Sequence, residues 1–282
     1  MRCSRLLPLL LALSASVAAE VRLATPATSD MADRELAEAL QAAGSLERAA
    51  GAVNARVQLP QIVTLRYASC ADANAWYQPE QGEVRICLSL ARHLAALLAT
   101  QVDDEAQMLE ALDGALRFIT LHELGHALVD VLQLPVTGRE EDAVDQLAAW
   151  LLLAEGEGAG VLSAASVFGS ELSGSDDLAA VHSLDRQRFF SLLCWVYGSD
   201  ASRRDSLLAD WSLPPERAAG CEEEYAQLGR SWQRLLAAHA PAAPESAPPA
   251  PGVGPDAGSE SHASGSKSPD QNAGPAADGP VP

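Results

Sequence analysis

Between residues 104 and 132 the chain repeats apolar side chains at helical spacing, and inside that run stands "LHELGHALVD" (residues 121–130). A stretch of this length and period predicts one long helix, with Asp103 or Asp104 as its cap. On such a helix His122 and His126 place their Cβ atoms ~5–6 Å apart on one face. Both rings can then reach one zinc ion at ~2.0–2.1 Å per bond. Glu123 adjoins the first histidine, where a carboxylate can take a proton from an attacking water. Gly125 costs the helix roughly 1 kcal/mol relative to alanine, tolerable where something must approach closely. A buried helix whose histidines merely satisfy hydrogen bonds would spell the same five residues, so a third ligand has to decide.

"QLPVTG" breaks the helix, and "TGRE" predicts a capping box at the start of the next one, with Thr137 as cap and Glu140 reaching back. A catalytic zinc site takes three protein ligands and leaves the fourth position open. The new helix offers Glu140, Glu141, Asp142 and Asp145. With Glu140 engaged at the helix start, Glu141 is the candidate ligand and Asp142 the fallback. Asp145, one turn further on, can accept from a ligand imidazole and fix its tautomer. Acids also suit the positive end of a helix, but that leaves the E-x-x-x-D spacing without a reason.

Both ends of the chain stand apart. Residues 1–19 have a basic start (Arg2, Arg5), the apolar "LLPLLLALSASV" and small residues before Glu20, the pattern of a cleaved signal peptide. The apolar part falls short of the ~20 residues that span a bilayer. A soluble protein of the periplasm or extracellular space is expected, with no membrane span after cleavage. Residues 240–282, dense in Pro, Ala, Gly and Ser, cannot bury enough surface to offset their ordering entropy and read as a disordered tail. Residues 20–239 remain for one domain with a sizeable core.

The net charge of −19 opposes binding to nucleic acid or an anionic membrane. The lone lysine, Lys267, lies in the tail, so the domain has no Schiff-base or phosphate-loop lysine. Cys3 leaves with the signal. Cys70, Cys87, Cys194 and Cys221 allow three pairings, of which Cys70–Cys87 and Cys194–Cys221 close short local loops in an oxidising compartment. C-x-x-C spacing is lacking, which disfavours a zinc–cysteine cluster.

Elsewhere the pattern predicts helices over residues 31–54, broken near "AAGS", a strand over 62–68, and a hairpin over 74–87 around "QPEQG". "LSLARHLAALLATQ" reads as helix, the Gly/Ser-rich stretch 156–175 as a connection, and 178–197 and 222–238 as helices. The sum is an α+β class: a mainly helical domain with a small antiparallel sheet or hairpin.

H-E-x-x-H followed by E-x-x-x-D on a later helix resembles the gluzincins, the clan of thermolysin-like zinc proteases. "HELGHALVDVLQLPVTGREEDAVDQLAAWLL" is similar, more closely, to a bacterial family of exported metallopeptidases whose function is otherwise unknown. The likeness extends to "CADANAWYQPEQGEVRIC" and "HSLDRQRFFSLLCWVYGSD", within about residues 30–238. It implies a zincin-like fold, Zn2+ on His122, His126 and Glu141, Glu123 as general base and Asp145 behind a ligand. "NAWY" resembles the edge-strand segment with which thermolysin-like enzymes hold the substrate backbone, a role implied for Asn74 and Ala75 by strand addition. A hairpin strand with two packed aromatics reads the same. One departure stands out: the interval from histidine to glutamate is shorter than in thermolysin.

His182, in "VHSLD", is the candidate imidazole donor to an oxyanion, with Tyr197 as its alternative. No G-x-S-x-G occurs, so a serine nucleophile of that kind is excluded. The sequence therefore points to a secreted zinc metalloendopeptidase acting on peptides or proteins. The alternatives are a non-catalytic zinc-binding or peptide-capture module and a zinc amidase acting on cell-wall peptides. Oligomeric state has no signature in the chain.

Overall fold

Four short strands form one mixed sheet: β1 (Val21–Leu23), β2 (Val63–Ala68), β3 (Ala75–Gln78) and β4 (Glu83–Cys87), in the order β1-β2-β4-β3. The computed structural model describes residues 19–170 and 183–241, all within the compact unit Met1–Ala242. The expected signal peptide and tail lie outside the described residues, apart from the last signal residue and the start of the tail. β3 and β4 are the anticipated hairpin, and Gly82, at φ +57°, supplies the left-handed turn residue between them. β1–β2 and β2–β4 are parallel, so among the four strands of the sheet antiparallel pairing is confined to the hairpin. β1 was not foreseen. Three residues carry no period of their own, and pairing with β2 plus the Asn54 side chain, which bonds both main-chain groups of Val21, makes the strand.

Helices α1 (Met31–Ala43) and α2 (Ser45–Asn54) precede β2. Asp30 caps α1, and Gly44, at φ +79°, closes it where the sequence shows its break. α3 (Leu88–Leu98) follows β4 and leads to α4 (Glu105–Val131), capped by Asp104 through the Ala106 amide. α4 is the axis of the fold. Leu116, Phe118, Leu121, Leu124 and Leu128 are buried along it among the sheet, α2, α3, and α5 (Glu140–Ala154) and α6 (Gly158–Ser170). Full burial of such a side chain contributes ~1.5–3 kcal/mol, so α4 is held by packing on nearly all sides.

α6 occupies much of the stretch read as a connection. Its glycines and serines lower helix propensity, but Val161, Leu162, Val167 and Phe168 are buried, and the small residues permit a tight crossing. A Cβ on Gly114 of α4 would stand 2.7 Å from the Gly160 Cα. The capping box at Thr137 does not form either: α5 begins at Glu140 without a side-chain cap, which frees Glu140 for another bond.

α7 (Asp185–Ser199), α8 (Arg204–Ala209), α9 (Pro215–Ala218) and α10 (Cys221–Leu236) complete the bundle; residues 178–182, expected to be helical, lie outside the described residues. Disulfides join Cys70 to Cys87 and Cys194 to Cys221, with Cα separations of 5.5 and 5.0 Å. The first ties the loop before β3 to the end of β4; the second ties α7 to the start of α10. Among the described residues no helix is long and apolar enough to cross a membrane.

Candidate metal centre

α4 and α5 cross at Gly125, where an added Cβ would lie 2.8 Å from the Val144 Cβ. The missing side chain lets the helices touch, and this brings the first turn of α5 against the two histidines. Oε2 of Glu141 lies 3.1 Å from Nε2 of His122 and 3.4 Å from Nε2 of His126. One such atom from each of the three residues lies within 4.8 Å of the others. A tetrahedral ion with bonds of ~2.0–2.1 Å spaces its ligands roughly 3.3 Å apart, so this set fits one divalent ion with little movement and leaves a position open. Asp142, the fallback, instead accepts from the Ser183 hydroxyl at 2.5 Å.

Each imidazole has a carboxylate behind it. Nδ1 of His122 is 2.7 Å from Asp145 Oδ1, and Nδ1 of His126 is 2.7 Å from Glu140 Oε1. An ionised carboxylate only accepts, so each Nδ1 carries its proton and each Nε2 is the atom turned toward Glu141. Asp145 is gripped in turn by Arg188 of α7, whose Nε and a terminal nitrogen reach its two oxygens at 2.8 and 2.9 Å. The same guanidinium lies 3.8 Å over the Phe168 ring.

Electrostatics follow from this packing. Burial alone pushes His122 toward the neutral form, but its bonds to Asp145 and Glu141 outweigh that and raise its pKa to about 9. Burial would raise Asp145, yet Arg188 and His122 hold it down at about 2. His126 is also raised, its bonds to Glu141 and Glu140 overcoming desolvation. Burial pushes the Glu123 carboxyl up, against the pull of the two histidines. A raised carboxyl pKa is what a proton acceptor needs if it is also to return the proton.

The centre opens into a cleft of about 710 Å3 between β3 and α3, α4 and α6. Asn74, Ala75, Trp76 and Tyr77 form one wall; Leu90, Leu94, Ile119, Val167 and Phe168 make an apolar end. β3 is the last strand of the sheet. The Cys87 amide bonds the Asn74 carbonyl, so by the antiparallel register Ala75 and Tyr77 direct their main-chain groups away from β4, toward the open edge. The Asn74 side chain accepts from the Ala75 amide at 2.9 Å, leaving the Ala75 carbonyl directed outward.

His182 lies outside the described residues. Tyr197 is on α7 under the Arg204 guanidinium, 5.1 Å from it, and does not line the cleft. Two contributors went unread in the sequence. Arg188 is 43 residues from its partner Asp145, with no local pattern to link them. Asp130 does extend the His122–His126 spacing by another turn, a legible signal, and it accepts from the Tyr77 hydroxyl at 2.8 Å.

With this geometry established, comparison with known families gives a match to a family model described as "Putative metallopeptidase", over residues 26–236. The chain belongs to the DUF4344 family. The DUF4344 match runs from just after β1 to the last residue of α10 and includes both histidines, Glu141 and both disulfides. No curated protein and no solved structure matches the chain.

Proposed function

We propose that the protein is an exported zinc metalloendopeptidase of gluzincin type. One observation carries the reading: a single Glu141 oxygen faces both Nε2 atoms, beside a buried glutamate and an open strand edge. His122, His126 and Glu141 would hold the ion, and Asp145 orients His122. When bound, zinc supplies a Lewis acid that polarises the scissile carbonyl and makes water acidic enough to attack near neutral pH.

The remaining work falls to the chain itself. An extended peptide adds to the outer edge of β3, with the Ala75 carbonyl and the Asn74 side chain fixing its main chain. Glu123 takes the proton of the attacking water and delivers it to the leaving amine, so that one carboxylate serves both halves of the reaction. Donation to the developing oxyanion is assigned to His182 on the sequence pattern. Export is supported by the signal-like residues 1–19 and by the two disulfides.

Digestion of a broad peptide library, with and without a chelator, tests the function. Glu123→Gln is expected to keep the metal and abolish cleavage, and His122→Ala to lose both. Full cleavage by the glutamine variant would sink the assignment of the base. Zinc stoichiometry with no cleavage by the native protein would favour a non-catalytic capture module; cleavage confined to cell-wall peptides would favour an amidase.

A further inference from the structure

β3 is paired with β4 on one side only, and its other side is the open edge of the sheet. Groups on that free side keep their positions only if the strand is fastened elsewhere. Its start is fastened at the junction of β4 and α3. There the Cys70–Cys87 bridge, the Cys87 amide on the Asn74 carbonyl (3.1 Å) and the Ser89 hydroxyl on the Asp72 carbonyl (2.7 Å) hold the entering loop. Its middle is fastened to α4. Ala75 and Tyr77 share one face of the strand, and both pack against the core. From that face the Tyr77 hydroxyl donates to Asp130 Oδ2 at 2.8 Å. Asp130 stands one turn beyond His126 on the helix that carries both histidines, and Tyr77 and Asp130 both line the cleft.

We propose that Asp130 is a positioning residue for the bound peptide: through the Tyr77 hydroxyl it holds the outer edge of β3 at a set distance from His122 and His126. The inference rests on the peptidase reading for the identity of the ligand, and on the Tyr77–Asp130 bond for the geometry. A peptide added to β3 is placed by main-chain hydrogen bonds, whose donor–acceptor distances span only ~2.7–3.2 Å. Displacing the strand therefore moves the whole peptide relative to the metal. A small metal ligand that does not reach β3 is untouched by the same displacement. That difference separates positioning of the peptide from damage to the metal centre.

The test uses the zinc-loaded protein, extended peptides from an internally quenched library, and acetohydroxamate as a small zinc-binding probe. Asp130→Ala should keep the bound zinc, and its acetohydroxamate affinity should stay within about twofold of native. Its peptide affinity, read by direct titration and as KM, should fall about tenfold. Tyr77→Phe fills the same space and should match it, and the double variant should be no worse than either single one. Asp130→Asn retains an acceptor and should stay within about twofold of native on both probes. Unchanged peptide affinity in Asp130→Ala, equal losses for peptide and acetohydroxamate, or single-variant losses that add overturn the proposal. A native protein that binds the peptides without chelator-sensitive cleavage ends the peptidase reading alone, and the variant affinities then decide the positioning role. A native protein that binds no extended peptide ends both.

Discussion

The Asp145 carboxylate lies 2.7 Å from Nδ1 of His122, and both are buried. A buried anion needs compensation, and two cations supply it: Arg188 through two bonds, and His122 when protonated. The candidate metal ligand is thus the inner end of a chain that begins on α7.

Removing Arg188 should be felt at the metal. Arg188→Met leaves Asp145 buried with less compensation, which costs about 3–5 kcal/mol of stability. Zinc affinity should fall about 10–100-fold through the loosened imidazole. Chemical denaturation and competition against a chromophoric chelator measure the two effects; unchanged affinity would show that Asp145 holds His122 unaided.

Metal binding should release protons. In the metal-free protein His122 stays charged until about pH 9, whereas a ligand imidazole must be neutral at Nε2. The stabilising imidazolium contacts are complete below the ordinary histidine value and vanish as pH rises through about 9. Apparent zinc affinity therefore rises with pH across that window and flattens above it. Calorimetry in two buffers of different ionisation enthalpy counts the protons, and a pH-independent affinity would contradict the assignment.

Gly125→Ala sets two effects against each other. Alanine gains roughly 1 kcal/mol of helix propensity, but its Cβ would meet Val144 at 2.8 Å and force α5 away. Overpacking of this kind costs about 1–3 kcal/mol, so net destabilisation and weaker metal binding are expected. Adding Val144→Ala should recover part of both; no recovery would mean that the helices do not meet there.

Loss of the Cys194–Cys221 bridge should destabilise the fold by about 2–5 kcal/mol, since it closes a loop with a sequence separation of 27. Because α7 carries Arg188, the Cys194→Ser/Cys221→Ser pair should also weaken zinc binding. Thermal melts and metal titration of that variant check both.

What the sequence disclosed follows from where the information is stored. α4 and the hairpin were legible because apolar period and turn residues are local, and His122, His126 and Glu141 because their spacing survives in one dimension. α6 was hidden by composition: its glycines serve the close crossing at Gly114, a reason visible only in three dimensions. Glu140 was misread for a similar cause. Once α5 starts at Glu140 itself, the side chain is free to turn to His126. Arg188 is joined to Asp145 by folding alone, and nothing near either residue announces the other.

α4 is notched twice, at Gly114 for α6 and at Gly125 for α5, with the apolar core closed around it. A rod clamped at both notches keeps its histidines in register whether or not a cation sits between them. Stripping the ion should accordingly disarm the cleft while the domain stays folded, and restoring it should rearm the cleft at once, with no refolding delay.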